Sequence, residues 1–240
     1  MHMTDDYHYD KLAYEKRYSI VYGEGVRFWE KPIPTEELIE FIEERSYPPN
    51  VRAIDLGCGE GRDSIYLAKR GFDVTAVDIS CSAIKRAKER ANEEDAYINF
   101  IIGDVVHLEF IRDGTYELAI DVGCLHIIVD PEARKNYLRN VFRILKRGGI
   151  YFSCNMSEEQ DVKFEDVFKK SPKPGELIPR KVRTANGREK LIMLPVIAAW
   201  PKSGRQYGEE LTDVNFKILR MSLRRTRSLG KCWVILAQKP

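Results

Sequence analysis

A glycine-rich turn is the part of this sequence whose residue types and spacing are best suited to binding a ligand. It follows the short apolar run VRAIDL and contains Gly57, Gly59 and Gly61. Such a turn lets a ligand approach the backbone closely at the start of a helix. A dinucleotide fingerprint needs its third glycine at the sixth position, where this chain has Arg62, so the spacing argues against a nicotinamide dinucleotide. The lysine of a phosphate-binding P-loop is also missing.

Two aspartates near this turn narrow the choice of ligand. Asp55 precedes the glycines, where its negative charge would repel a pyrophosphate and attract an ammonium or sulfonium group. Asp78 lies about 20 residues beyond Gly57, a position from which an acid accepts hydrogen bonds from ribose hydroxyls. The ligand should therefore have a ribose, a cationic end and no phosphate chain. S-adenosylmethionine meets all three conditions.

A parallel sheet is needed to bring these residues together. Apolar runs alternate with helical patterns, and the predicted strands are 51–57, 72–78, 97–104, 116–124 and 150–155. Strands and helices that alternate form parallel βαβ units, so the sequence predicts an α/β, Rossmann-like, doubly wound sheet. Two more β-rich runs joined by 228–230 predict a C-terminal antiparallel hairpin that completes seven strands. The helical pattern over 131–147 is expected to end at Gly148–Gly149.

The remaining segments are predicted to cover this sheet. Residues 1–50 contain two helical patterns and are predicted to form an N-terminal helical cap, and residues 51–240 form the main domain. The proline-rich stretch 156–212 is too long for a simple connector, so we expect it to be an inserted lid or arm over the strand ends. Within it, Asn186–Gly187 lies between β-prone flanks and predicts a hairpin.

The ordered set of motifs resembles that of class I S-adenosylmethionine-dependent methyltransferases, over roughly residues 50–155 and more weakly over the closing hairpin. DLGCGEG resembles the first motif of the family, AVDIS the second, IIGDV the adenine-contacting segment and AIDVGCLH the fourth-strand motif. LKRGG corresponds to the common Leu-Lys-Pro-Gly-Gly turn, with Arg147 where proline is usual. The resemblance implies S-adenosylmethionine as cofactor and methyl transfer as activity. The N-terminal aromatic residues and GCLH favour small-acceptor members, including the tellurite-resistance and thiopurine-type relatives.

The resemblance also implies a role for each residue of these motifs. The residues whose backbone would approach the methionine part of the cofactor are Gly57, Cys58, Gly59 and Gly61. Asp55 would hold its α-ammonium group, and Asp78 would bind the ribose hydroxyls. The other implied contacts are Ile79 on the adenine face, Asp104 at the adenine amino group with the Val105 backbone N–H beside it, and Gly123 and Cys124 at the methionine end.

The acceptor side carries fewer signals, because methyl transfer from a sulfonium requires mainly alignment and the exclusion of water. A base is needed only if the acceptor must lose a proton, and His126 in GCLH is the candidate for that role or for a structural one under the lid. Tyr18 and Trp29 resemble the N-terminal aromatic residues that close over the cofactor in small-molecule members, and ordinary core packing is the other interpretation of both. The sequence predicts a small-molecule acceptor and no metal.

Three alternatives remain open. The first is an RNA methyltransferase that uses the basic C-terminal third, because Lys and Arg outnumber Asp and Glu from Arg180 onward. A nucleic-acid acceptor is not favoured, because no Asn/Asp-Pro-Pro-aromatic motif follows the fourth strand. Cys124 and Cys154 resemble the pair of RNA cytosine-5 methyltransferases, although the neighbouring proline and threonine are missing. A non-catalytic cofactor-binding protein is the third alternative.

The composition excludes other classes of protein. The chain has 240 residues, of which 43% are hydrophobic and 32% charged, enough for one α/β domain with a full core. A net charge of +2 gives no general attraction to polyanions. No apolar run is long enough to span a bilayer, and no signal peptide is found. Five cysteines in no finger-like spacing indicate a reducing compartment, so we expect a cytoplasmic protein with no membrane contact.

Overall fold

A computed structural model describes residues 12–27, 31–161 and 172–240. The strands, numbered in chain order, are β1 (Arg52–Leu56), β2 (Asp73–Asp78), β3 (Ile98–Ile102), β4 (Tyr116–Val122), β5 (Leu145–Met156), β6 (Leu177–Arg183), β7 (Glu189–Pro195), β8 (Lys217–Thr226) and β9 (Gly230–Gln238). Seven of them form one sheet in the order β3-β2-β1-β4-β5-β9-β8, and β6 and β7 form a separate hairpin.

The direction of the strands places several turns at one edge of the large sheet. β1 to β5 are parallel, and β9 runs antiparallel to both β5 and β8. The start of β9 therefore lies beside the end of β5, where Met156 pairs with Cys232. The prediction of a Rossmann-like, seven-stranded sheet with a C-terminal antiparallel hairpin is confirmed. The turn between β8 and β9 lies at the same edge as the carboxyl ends of the parallel strands, where α/β folds bind ligands.

The described residues also form six α-helices, which pack around these strands. They are α1 (Ala13–Gly23), α2 (Glu36–Arg45), α3 (Arg62–Lys69), α4 (Cys81–Glu93), α5 (Pro131–Ile144) and α6 (Gly204–Asp213). Apolar residues of α2 and α3 pack on one face of the sheet, and those of α5 and α6 pack on the other. α4 packs against β2 and β3. Of the helices that the structure describes, none is long and apolar enough to cross a membrane.

The end of α5 differs from its prediction. The helix ends at Ile144, and β5 begins at the next residue instead of after Gly148–Gly149. Leu145 pairs with Tyr116 of β4, and the register then shifts before Ile150 pairs with Leu118. The glycines therefore lie in an irregular stretch of β5, where Gly148 has a φ of +79° that a glycine adopts without strain. The expectation that they end a helix was wrong.

The described residues of the region predicted as an arm include two regular parts. The turn around Asn186–Gly187 joins β6 and β7 as expected, and Gly187 has a φ of +81°. One face of this hairpin packs on α1, through Val182 and Ile192 of the hairpin and Val21 of the helix. The second part is α6, a helix that the sequence analysis did not predict.

Candidate cofactor and acceptor site

Asp78 connects two loops at the carboxyl edge of the sheet. One of its carboxylate oxygens accepts a hydrogen bond from the Gly59 backbone N–H at 2.8 Å, and the other accepts from Ser80 N–H at 2.8 Å. The backbone N–H groups of Gly57 and Cys58 both donate to Val77 O. Each carboxylate oxygen has two lone pairs and can accept more than one hydrogen bond. The arrangement suits a ligand with two neighbouring hydroxyl groups.

Gly57 and Gly61, the first and third glycines of the turn, each allow a different pair of elements to approach closely. Gly57 has a φ of +75°, and a Cβ at this position would lie 2.8 Å from both Cβ and Sγ of Cys124. Only a glycine here lets the turn after β1 approach the loop after β4 so closely. Gly61 also has a φ of +75°, but its missing Cβ would face Ala87 and Phe100 at 3.1 and 3.4 Å. Gly61 therefore allows α3 to start against α4 and β3.

Asp55 is a buried acid that accepts a hydrogen bond from Ser64. The Ser64 hydroxyl donates to its Oδ2 at 2.5 Å, and the residue is 3% exposed. Burial, with the nearby Asp63 adding to it, raises the pKa of Asp55 to about 8, despite the hydrogen bond from Ser64. A cation placed beside Asp55 would favour its charged form and lower this pKa. The position therefore fits a ligand with an ammonium or sulfonium group.

The other predicted cofactor residues follow the ends of β2, β3 and β4, so they reach the same edge as the glycine turn. Ile79 is partly exposed, Cys58 and Val105 are buried, and Gly123 has a φ of +88°. The Asp104 carboxylate accepts from the Val106 backbone N–H at 3.0 Å, which orders the loop after β3. The structure thus places the predicted set at one edge of the sheet.

Asp121 organises the loop after β4 and was missed by the sequence analysis. It is fully buried and accepts from Cys124 N–H at 2.8 Å and from the hydroxyls of Tyr137 and Tyr151 at 3.0 and 2.8 Å. Burial raises its pKa in spite of these hydrogen bonds. The available signal was an acid inside the apolar run LAIDV, which a buried strand tolerates only with partners.

His126 lies in the 3₁₀ turn after β4 and faces the end of β5. Its backbone N–H donates to Asn155 Oδ1 at 3.1 Å, and its ring Nδ1 lies 2.9 Å from the same oxygen. Burial, together with the charge of Arg134, lowers the pKa of His126 to about 4, although the Asn155 contact opposes the shift. The imidazole is therefore neutral at physiological pH. Its Nε2 makes no hydrogen bond to the described residues.

Two residues from the C-terminal half border His126 and were also missed. Leu229, in the turn between β8 and β9, and His126 both lie beside the position of the missing side chain of Gly123, because a Cβ there would lie 3.2 Å from Leu229 Cδ1 and 3.6 Å from His126 Cε1. The Trp200 backbone N–H donates to His126 O at 2.6 Å. No local pattern identifies either residue, because only the strand order brings them to this edge.

Of the two N-terminal aromatic residues predicted to close over the cofactor, Tyr18 is described by the structure and Trp29 is not. Tyr18 is 2% exposed and stacks on Tyr22 with ring centroids 5.8 Å apart. Tyr22 in turn donates from its hydroxyl to Glu60 Oε1 at 2.8 Å, which docks α1 on the glycine turn. Trp29 lies outside the described residues.

The cysteines are poorly suited to nucleophilic attack. Burial, followed by the charge of Asp121, raises the pKa of the Cys124 thiol well above its usual value. A hydrogen bond with Cys232 and burial do the same for Cys154. Since the thiolate is the reactive form, the structure argues against a covalent role for this pair. Within the residues described here, no group of three or more acidic, cysteine or histidine side chains could hold a metal ion.

The arginines of the closing hairpin are largely neutralised. Arg220 and Arg224 pair with Glu44 and Glu40 of α2 at 2.9 and 3.0 Å. Arg227 pairs with Glu36 of the same helix at 3.3 Å. The excess of positive charge in this part of the sequence is therefore balanced by glutamates that are distant along the chain.

Comparison with known proteins agrees with this geometry. Residues 53–149 match the family described as "Methyltransferase domain". The chain is 29% identical to human EEF1A lysine methyltransferase 2 over 58% of its length and 62% of that protein's. It is 23% identical to the ubiquinone biosynthesis O-methyltransferase of Xanthomonas axonopodis over 89% of its own length and 90% of that protein's. A solved methyltransferase from Methanosarcina mazei shares the fold, with a TM-score of 0.63, 24% identity, and coverage of 82% of this chain and 96% of that one.

Proposed function

We propose that this S-adenosylmethionine-dependent methyltransferase of class I transfers the methyl group to a small molecule with a protic O, N or S nucleophile, and that His126 accepts the proton. The observation that carries the proposal is the contact between His126 and Asn155, 2.9 Å from Nδ1 to Oδ1. It leaves the lone pair of Nε2 at the ligand-binding edge of the sheet, in the turn that follows Gly123.

The cofactor would be held by residues from three loops. Asp78 would accept from the ribose hydroxyls, and Asp55 would pair with the cationic end. The positive φ of Gly57 and its contact with Cys124 leave backbone, and no side chain, at the closest point of approach. S-adenosylmethionine supplies a methyl group on a sulfonium, which is already a strong electrophile. The task of the protein is therefore alignment and the exclusion of water.

A weakly basic His126 suits this chemistry. An oxygen, a thiol or a weakly basic nitrogen that keeps its proton becomes a strong acid as it forms a bond to the methyl carbon. A neutral imidazole with a pKa of about 4 accepts a proton at that stage and is not protonated beforehand at neutral pH. His126 would therefore act late in the displacement.

Two observations favour a small acceptor. The similarity to the O-methyltransferase of ubiquinone biosynthesis extends over 89% of this chain, whereas the similarity to the human protein-lysine methyltransferase extends over 58%. In addition, α1 and the β6–β7 hairpin pack together, and α1 docks on the glycine turn through Tyr22 and Glu60. Because α1 and this hairpin lie over the edge of the sheet, the site suits a small acceptor that can be enclosed beneath them.

The first test is calorimetric binding of S-adenosylmethionine and its demethylated product, with micromolar affinity expected. The Asp78→Ala variant should lose on the order of 1–3 kcal/mol of binding free energy, because hydrogen bonds to a charged group are lost. The second test supplies methyl-labelled cofactor with a metabolite extract and follows the label by mass spectrometry. Label in a small molecule is the expected result. Binding without any transfer would identify a non-catalytic cofactor-binding protein.

RNA is the second candidate acceptor, and one observation favours it. The β6–β7 hairpin exposes Arg180, Lys181, Arg183 and Arg188. Binding of a labelled RNA that weakens steeply with salt would support this alternative. We expect no retention of RNA at physiological salt, because the arginines of the closing hairpin are engaged with α2.

A further inference from the structure

Arg134 is a fully buried cation directly behind the turn that carries His126. Its side chain extends from α5 and is 1% exposed. One terminal nitrogen, Nη1, donates to the carbonyls of Leu125 at 2.5 Å and Ile128 at 3.1 Å. The carbonyl of His126, between these two, accepts from Trp200 N–H at 2.6 Å. The Leu125 carbonyl also accepts from Ile128 N–H within the turn, whereas the carbonyls of Ile128 and His126 lie at its end and receive their donors from Arg134 and Trp200.

Glu210 fixes the orientation of Arg134. The two side chains form a bidentate pair, with Nε to Oε1 at 2.8 Å and Nη2 to Oε2 at 2.7 Å. Lys202 also reaches Glu210 Oε1, at 3.1 Å, and its ammonium lies 3.6 Å from the centre of the Trp200 ring. Residues of α5, of α6 and of the segment before α6 therefore converge on one turn.

Burial of the charged groups of Arg134 and Glu210 costs desolvation free energy, which apolar side chains in the same place would not. A buried ion pair is often no more stable than apolar side chains of the same volume, so stability alone does not explain why it is present. What this pair provides, and apolar side chains do not, is a planar fork of donors with a fixed direction. Nε and Nη2 of this fork face Glu210, which directs the remaining nitrogen, Nη1, at the carbonyls of Leu125 and Ile128.

We propose that Arg134, oriented by Glu210, is a positioning residue for methyl transfer and holds the turn so that Nε2 of His126 faces the acceptor. This inference rests on the proposed role of His126. Neither Arg134 nor Glu210 contacts the predicted cofactor residues in any hydrogen bond described above. Loss of the network should therefore slow transfer and leave cofactor binding intact.

The experiment compares Glu210→Gln with Glu209→Gln. Glu209 is the preceding residue of α6 and pairs with Arg205 on the surface at 2.8 Å, so it controls for loss of a charge on the same helix. With labelled cofactor and the metabolite extract, Glu210→Gln should reduce the rate of label transfer by about 10- to 100-fold, as expected for a misplaced group. The dissociation constant for S-adenosylhomocysteine should stay within about twofold in both variants.

A second measurement separates positioning from general stability. Long-range ¹⁵N–¹H spectra of the His126 ring should show the Nδ1–H tautomer alone in the wild type and in Glu209→Gln, and a mixture in Glu210→Gln. A role limited to packing α5 on α6 would not change the tautomer. If Glu210→Gln unfolds, Arg134→Lys replaces it, because lysine keeps the charge and loses the fork.

The His126→Gln variant, measured alone and in combination with Glu210→Gln, distinguishes the two proposals. If this variant transfers the label at the wild-type rate, the role of His126 is wrong. If it is slow, the effect of Glu210→Gln should disappear when the two changes are combined, since both act through one group. An unchanged rate in Glu210→Gln, or a full additional loss in the double variant, would overturn the positioning inference.

Discussion

His126 contacts Asn155 through two atoms that converge on a single oxygen. The backbone N–H of His126 lies 3.1 Å from Asn155 Oδ1, and the ring Nδ1 lies 2.9 Å from it. A backbone N–H can only donate, so the amide of Asn155 must present its oxygen, and the ring nitrogen facing that oxygen must carry the proton. The amide nitrogen of Asn155 donates to Ser153 Oγ at 2.9 Å, which is consistent with this orientation. The geometry therefore fixes the tautomer of His126.

The Asn155→Ala variant should release this constraint. Loss of the shared acceptor should cost about 1–3 kcal/mol of unfolding free energy, since it leaves buried donors without a partner. It should also give a mixture of His126 tautomers in ¹⁵N spectra. Asn140→Ala is the control, because the Asn140 amide also donates a hydrogen bond, to the Val106 carbonyl at 2.9 Å, but makes none with His126. A single tautomer in Asn155→Ala would contradict this account.

The stability of the protein should depend on pH through His126. Its pKa is lowered from 6.5 to about 4 in the folded state, so below pH 6.5 the unfolded chain binds more protons at this residue. The contribution is present above pH 6.5 and is lost as the pH falls through 4, and it amounts to about 3 kcal/mol. Urea unfolding at pH 7, 5 and 4 should show a smaller loss in His126→Gln than in the wild type. Parallel losses in both proteins would refute this prediction.

The position of the candidate cofactor residues at one edge of the sheet could be predicted from the sequence because its determinants are local. Gly57, Gly59 and Asp78 lie at the ends of successive strands, and the alternation of strands and helices is enough to place them at one edge. The acceptor side could not be predicted in the same way. Leu229 lies beside Gly123, and Trp200 bonds to His126, only because β9 inserts next to β5 and α6 packs beside α5. No spacing in the sequence encodes these contacts between distant segments.

The ion pairs of the closing hairpin are also contacts between distant segments that the sequence could not predict. From Arg180 onward the sequence suggested a basic surface, yet Arg220 and Arg224 meet glutamates of α2 that lie more than 170 positions earlier in the chain. The charge excess of a segment predicts a polyanion-binding surface only where tertiary structure does not neutralise it. The irregular stretch in β5 is similar, because Gly148 follows a helical pattern that ends early to let Leu145 pair with β4.

Binding of S-adenosylmethionine should release a proton from Asp55. The pKa of this carboxyl is about 8 in the free protein, so it is largely protonated at pH 7, and a cationic partner favours its charged form. Affinity should therefore rise with pH up to about 8. Calorimetry in buffers of different ionisation enthalpy should show close to one proton released at pH 7. Asp55→Asn should abolish the release, whereas Asp73→Asn, at the opposite end of β2, should not affect it.

Gly57→Ala should damage the site by a steric contact as well as by strain. An added Cβ would lie 2.8 Å from the Cys124 side chain, at a φ of +75°. Gly114→Ala is the matched control, because Gly114 has a φ of +58° and nothing within 4 Å of its missing Cβ. Backbone strain should cost both variants about 1–3 kcal/mol of unfolding free energy. Only Gly57→Ala should also weaken cofactor binding in calorimetry, because its loop must move away from Cys124. Equal affinities for S-adenosylhomocysteine in the two variants would show that the close approach of these loops is unimportant for binding.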